Sequence, residues 1–321
     1  FMKINNRWKL VEKSKELYLP TLPQHQFINN DTKLCLMGSC FADGIGWVLK
    51  ENHINIGEVD YVEERRQALY PWGTFFNPLN LLHILEHTLE IKKINFDEQA
   101  FIKVPKNILG NHFETKDADL EENDYDLWCL YLKARLNSSN LDESILDINK
   151  KLKKFKNSIL NADVIVITLG LIEAWIDNES KKSWHSFHGN AIKKTSIGNR
   201  ASFDLLSYDK VKAAIQDIVS IFHSIDKEKK IIFTVSPIPL NFTFTNKDIV
   251  VANRYSKSVL RAVIEGFIDD KKIFYFPSFE IVLDCVGWPA AYKEDDKRHI
   301  KMDVFKNCIA PLFLNNFCNI K

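Results

Sequence analysis

Four short, almost wholly apolar runs limit most sharply what this chain can fold into: Leu34-Cys35-Leu36-Met37, Val164-Ile165-Val166-Ile167-Thr168, Ile231-Ile232-Phe233-Thr234-Val235 and Ile273-Phe274-Tyr275-Phe276. A strand with one wet face alternates apolar and polar residues, whereas an unbroken apolar run of this length suits a strand covered on both faces, as in a parallel sheet. Each run ends on a turn or small residue. Amphipathic helical patterns separate them, clearest at Pro78 to Ile91, Leu141 to Leu160, Tyr208 to His223 and Asn253 to Phe267. Strands alternating with helices imply right-handed crossovers, and so an α/β fold, a three-layer α/β/α sandwich around a central parallel sheet. Residues 95–140 break the rhythm with an acidic run, Asp117 to Asp126, and an aromatic patch, Trp128 to Tyr131, and read as an insertion or cap over the sheet edge.

With 321 residues, no internal repeat and no Gly/Ser- or Pro-rich linker, residues 1–321 read as a single elaborated domain. Forty-three Lys and Arg stand against 42 Asp and Glu, a formal charge of +1, which argues against a nucleic-acid or anionic-membrane partner. Lys150-Lys151-Leu152-Lys153-Lys154 sits at helical spacing beside apolar residues and reads as a solvated helix face. The six cysteines form no CxxC and no Cys/His cluster with metal-ligand spacing, so buried thiols and no metal or other cofactor are expected. His185 and His188 have a possible ligand spacing without an evident third ligand, and a substrate-facing loop is the better reading. The first residues lack a signal peptide's apolar core and no window is long enough to span a membrane, so a cytoplasmic protein is expected, with Phe1 an addition ahead of a natural start at Met2.

In an open parallel sheet ligands bind beyond the carboxyl ends of the strands, so residues just after each run are where chemistry belongs. Ser39 follows the first run by one glycine, and Phe41 to Lys50 reads as a helix whose N-terminal N–H groups point near the serine hydroxyl and would stabilise an oxyanion there. The plain alternative is a serine N-cap. Asp296-Lys297-Arg298-His299 spaces an acid three residues before a histidine, so that on one helical turn the carboxylate reaches Nδ1 and leaves Nε2 as a base; the alternative is a solvated polar turn. Glu173, in Thr168 to Trp175, either binds substrate hydroxyls or holds loops together. In Tyr70 to Pro78, the Gly73 or Thr74 N–H and the Asn77 amide are candidate oxyanion donors, although Asn77 before Pro78 equally suits an N-cap. Arg298 can meet an anionic substrate, while Arg254, Lys257 and Arg261 read as a helix surface.

These segments, with Gly38-Ser39-Cys40-Phe41-Ala42 first and Asp296-x-x-His299 last, resemble the GSCFA family, related to the SGNH (GDSL-type) hydrolases. Thr234 to Leu240, Ala252-Asn253 with Ser256-Lys257-Ser258, and Tyr275 to Glu280 look like the same family, over roughly residues 30 to 310. The resemblance implies a flavodoxin-like SGNH hydrolase fold, Ser39 as nucleophile, His299 as base and Asp296 as its partner, in a bacterial enzyme of acyl groups on carbohydrates or other small esters. One departure is visible. The SGNH third block is usually Gly-x-Asn-Asp, whereas this chain has Gly170-Leu171-Ile172-Glu173, so Ile172 replaces an oxyanion-hole asparagine. Losing such a donor costs roughly 3 kcal/mol. Asn77 is the candidate replacement.

The expected function is therefore a serine-dependent acyl-ester hydrolase or O-acyl (acetyl) transferase on a small-molecule or glycan ester, working through an acyl-enzyme, with Cys40, Gly170 and Arg298 also near the reacting centre. The alternative is a catalytically weak or inactive glycan-binding protein on the same fold. Cys40 as a thiol nucleophile is disfavoured, because a helix beginning there would point it away from the site. Trp72, Trp128, Tyr131, Trp175 and Trp184 are candidates to stack on sugar faces, or else are core.

Overall fold

The computed structural model describes residues 18–62, 67–105, 125–132, 138–185 and 199–319. The four apolar runs form one parallel sheet: β1 (Leu34–Gly38), β2 (Val164–Leu169), β3 (Lys230–Val235) and β4 (Ile273–Tyr275), hydrogen-bonded in that order. Every residue of β1 and β2 is buried, so neither face of the sheet meets water there. That is the physical reason these strands carry no alternation.

Between β1 and β2 lie α1 (Phe41–Glu51), α2 (Pro78–Thr88) and α3 (Leu141–Asn161). α4 (Tyr208–Ile225) joins β2 to β3, α5 (Ile249–Glu265) joins β3 to β4, and α6 (Ala310–Phe317) follows. The helices fall into two groups. α1 packs on residues 305–309 and on α6, with the Phe41 and Phe305 rings 5.0 Å apart. α2 packs on α3 and α4, and α4 on α5. α3 starts where Asn140 Oδ1 accepts the Glu143 N–H (3.0 Å), and it buries Ser144, Ile148, Leu152, Phe155 and Ile159, which leaves its lysines toward water. α5 starts at Ile249, one turn earlier than the pattern predicts, because Asp248 caps it through the Val250 N–H (2.8 Å).

The register brings the carboxyl ends of the strands level. Gly38 pairs with Thr168, Thr168 with Thr234, and Leu169 with Val235. At the end of β1, Gly38 has φ +125°, and a Cβ on it would lie 2.0 Å from the Thr168 carbonyl oxygen. Only glycine fits both the backbone angle and this approach. On the other edge of β1, the Leu34 N–H donates to the Asn55 carbonyl (2.8 Å) and Lys33 forms a single parallel bridge with Asn55.

Three antiparallel pairs outside this sheet were not predicted: Asp60–Val62 with Gln67–Leu69, Phe101–Pro105 with Tyr125–Cys129, and Glu173–Asp177 with Ala201–Leu205. The second belongs to the expected cap. It is tied to the body beside α2, where the Leu130 carbonyl accepts the His185 N–H (2.7 Å) and the Tyr131 carbonyl accepts the Asn80 amide (3.1 Å). Most of the acidic run, up to residue 124, lies outside the described residues. No helix among the described residues is long and apolar enough to cross a membrane.

Candidate active site

Because the strands end level, the loops that leave them converge, and they enclose a cavity of about 850 Å³ including its open mouth. Ser39 and Cys40 come from the end of β1, Gly170, Leu171 and Glu173 from the end of β2, and Ser236, Ile238 to Phe242 and Phe244 from the end of β3. Phe76 and Asn77 ahead of α2, Lys257 of α5, Arg298, and the rings of Trp175, Trp184 and His185 complete the wall. None of the described residues of 95–140 lines it, so the described part of the expected cap does not close this cavity.

Ser39 is 2% exposed and its backbone is fixed at both ends: its N–H donates to the Thr168 carbonyl (2.9 Å) and its carbonyl accepts the Ala42 N–H (2.8 Å). The hydroxyl oxygen accepts the Phe41 N–H at 3.3 Å, at the positive end of α1. Gly170 leaves room above it, since a Cβ on that glycine would lie 3.6 Å from the Ser39 Cβ and 3.9 Å from the Ser236 Cβ.

Asp296 and His299 do meet, although not on a helical turn. Lys297 is left-handed (φ +51°), and the acid closes a non-helical turn instead. Asp296 Oδ1 accepts the N–H groups of Arg298 and His299, both at 2.9 Å, and Oδ2 bonds His299 Nδ1. Partial burial works against the charged carboxylate, but those two N–H groups and the imidazole outweigh it and hold its pKa down to about 2. A proton held on Nδ1 leaves Nε2 as the free base position. His299 is 36% exposed by its side chain and stands outside the cavity lining, which its neighbour Arg298 reaches.

The candidate oxyanion donors fare unevenly. The Gly73 N–H donates to the Tyr70 carbonyl (2.9 Å) and the Thr74 hydroxyl shares a 3.4 Å hydrogen bond with His185 Nε2; neither residue lines the cavity. The Gly170 N–H is engaged by the Phe76 carbonyl at 2.9 Å. Ile172 is fully buried in the core and its N–H donates to Ser256 Oγ (2.9 Å), so that position offers the cavity nothing. Asn77 caps α2 by accepting the Asn80 N–H (2.8 Å) and donates to the Glu173 carbonyl at 3.3 Å, which leaves one amide hydrogen uncommitted beside the cavity. Glu173 accepts from the Thr243 hydroxyl (2.6 Å) and the Phe244 N–H (2.9 Å), so it fastens the loop after β3. Cys40 does not point away: it lines the cavity.

Sequence reasoning missed Lys257, which was grouped with Arg254 and Arg261 as helix surface. It is 1% exposed, and its Nζ donates to the carbonyls of Gly170 (2.6 Å) and Ile238 (2.9 Å). The signal was present, since Lys257 shares a face with Leu260 and Ile264, which are buried at i+3 and i+7. Burial lowers its pKa from 10.5 to about 7, with Cys40 opposing and Arg298 adding to the shift. Between these values the unfolded chain holds a proton that the folded protein does not, so this group makes stability rise with pH from about 7 to 10.5. Urea unfolding at two pH values in that window should show the rise, and Lys257→Met should flatten it; equal slopes in the two proteins would contradict the assignment.

Trp72 and Tyr131 are buried, Trp72 stacking on Tyr70 and Phe155, and neither lines the cavity. Trp128, half-buried in its hairpin, does not line it either, whereas Trp175, packed against Phe203 and Phe244, does. His188 lies outside the described residues. No group of three or more His, Cys, Asp or Glu among the described residues is placed to hold a metal ion.

None of the curated proteins with which the chain was compared matches it. A solved structure, an acetyl xylan esterase from the rumen bacterium Butyrivibrio proteoclasticus, aligns with 77% of this chain and 55% of its own, at 12% identity and a TM-score of 0.26. This chain thus spans about half the length of that enzyme, and a likeness so low carries no argument about the fold or the activity. The family comparison is of another order, because the model of the GSCFA family matches residues 33–310, a span that holds every residue of the described cavity lining. The chain belongs to the GSCFA family.

Proposed function

We propose that this protein is a serine-dependent acyl-ester hydrolase or O-acyltransferase of the SGNH type, acting on a carbohydrate or other small ester. The observation that carries the reading is Ser39 on the wall of the cavity at the strand ends, its hydroxyl at the N-terminus of α1. The Asp296–His299 pair supports it, one residue from the lining. The edge bridge at Asn55 also fits, because a strand there would extend the sheet to the flavodoxin-like order with Ser39 at its switch point.

In this mechanism His299 Nε2 takes the Ser39 proton as Oγ attacks the ester carbonyl, and Asp296 holds the imidazolium. His299 then protonates the departing alkoxide, leaving the acyl group on Ser39, and water or a sugar hydroxyl releases it by the reverse proton transfers. The positive end of α1 and the uncommitted amide hydrogen of Asn77 stabilise the developing oxyanion. Turnover of nitrophenyl acetate and of acetylated oligosaccharides tests the reading: the protein should hydrolyse or transfer these acyl groups and Ser39→Ala should not. Equal rates for the two proteins would reject it.

Cys40 shares the lining, so it needs its own control. We expect Cys40→Ala to keep kcat within roughly tenfold of the parent. A loss as deep as that of Ser39→Ala would move the nucleophile to the thiol. The glycan-binding alternative has two observations in its favour, the commitment of the Gly170 N–H and the burial of Ile172, and it predicts ligand binding that persists in Ser39→Ala with no turnover in the parent.

A further inference from the structure

Two basic side chains, Lys257 and Arg298, line the cavity without an acid to balance them. Lys257 Nζ and Arg298 Nε are pinned on consecutive carbonyls, Ile238 and Pro239, the latter at 3.3 Å, so both reach the cavity from the same stretch of wall. Neither forms an ion pair among the described residues. Glu173 is the sole carboxylate in the described lining, and both its oxygens serve Thr243 and Phe244. Asp296, next in the chain to Arg298's neighbour, is bound to His299.

A buried ammonium held only by carbonyls is expensive, and an anion seated beside it recovers that cost. Lys257 has three N–H donors and two are engaged, while Arg298 keeps the two terminal nitrogens of its fork uncommitted. The other buried lysine among the described residues, Lys229, shows the contrast: it too donates to two carbonyls, those of Ile159 and Ala162, but Asp226 and Asp163 stand near enough to favour its charge, whereas no carboxylate does so for Lys257.

We propose that Lys257 and Arg298 form an anion subsite in the cavity, which seats a carboxylate or phosphate group of the substrate beside Ser39. The proposal deepens the acyl-ester reading by naming a substrate class, esters of acidic rather than neutral sugars or alcohols. Filling the subsite also draws a proton onto Lys257, whose facing titratable and charged groups are Cys40 and Arg298, with Glu173 and His185 elsewhere on the wall.

The test uses the Ser39→Ala protein, so binding is read without turnover, and an enzyme lacking anion preference is told apart from an anion site lacking enzyme activity. Glucuronate, glucose phosphate and glucose are titrated by calorimetry up to roughly 50 mM. One or both anions should bind and glucose should not, and whichever anion binds identifies the group recognised. Arg298→Gln, on a half-exposed side chain, should weaken anion binding at least ~10-fold. Across buffers of different ionisation heat near about pH 8, binding should take up protons, and Lys257→Met should abolish that uptake. Binding of all three alike, binding of none, or anion affinities unchanged in Arg298→Gln would overturn the proposal, whether or not Lys257→Met folds.

Discussion

Replacing His299 by alanine should lower kcat for ester turnover by roughly 10⁴-fold, and Asp296→Asn should come within about tenfold of that loss. The size follows from the work assigned to one proton carrier. Without Nε2 the Ser39 hydroxyl must attack undeprotonated, and what remains is binding and the donors at the start of α1. Asp296 matters through the tautomer, since its Oδ2 fixes the proton on Nδ1 and its Oδ1 ties the N–H groups of residues 298 and 299. His185 is the informative control. It lines the cavity that His299 does not, yet its Nε2 is shared with Thr74, so His185→Ala should keep kcat within roughly tenfold. Steady-state kinetics on the three variants decides the matter, and a deeper loss in His185→Ala than in His299→Ala would reassign the base.

Gly38→Ala should be the most damaging conservative change in the fold. Alanine at φ +125° is strained by about 1–3 kcal/mol, and its methyl carbon would sit 2.0 Å from a backbone oxygen that has no rotamer to retreat into. Relief requires β1 and β2 to part at the Gly38–Thr168 pair, where the Ser39 N–H also donates to Thr168. Together these effects should remove at least ~4 kcal/mol, a large share of the net stability of an ordinary domain. A melting point lower by roughly 8 °C or more is expected by calorimetry. One within about 2 °C of the parent would mean the approach to Thr168 is looser than described.

Much of the fold was legible because strands of a parallel sheet covered on both faces must be apolar on both, and four runs in this chain had no other reasonable use. Most helices were legible from their stripes, although α5 starts a turn early at its Asp248 cap, α2 stops at Thr88 short of Ile91, and α6 was not predicted. The three antiparallel pairs were not, because strands such as Glu173–Asp177 mix charged and aromatic residues without a clean period of two. At the site, local spacing reveals what is local. Asp296 and His299 are three residues apart and meet, although through a left-handed Lys297 that no spacing rule anticipates.

What sequence hid was convergence. Lys257, Gly170 and Ile238 come from three separate segments and meet only because β2 and β3 end level and α5 packs behind them. Ile172 shows the same limit in reverse: its place in a motif suggested a missing donor, whereas its side chain belongs to the core and its N–H to Ser256.

The central claim is that Ser39 is a nucleophile, and covalent labelling tests it most directly. After incubation with a fluorophosphonate, peptide mass mapping should find one adduct on Ser39, formed quickly in the parent and slowed in His299→Ala. An unlabelled Ser39 in protein that turns over esters, or an adduct on Cys40 instead, would contradict the account.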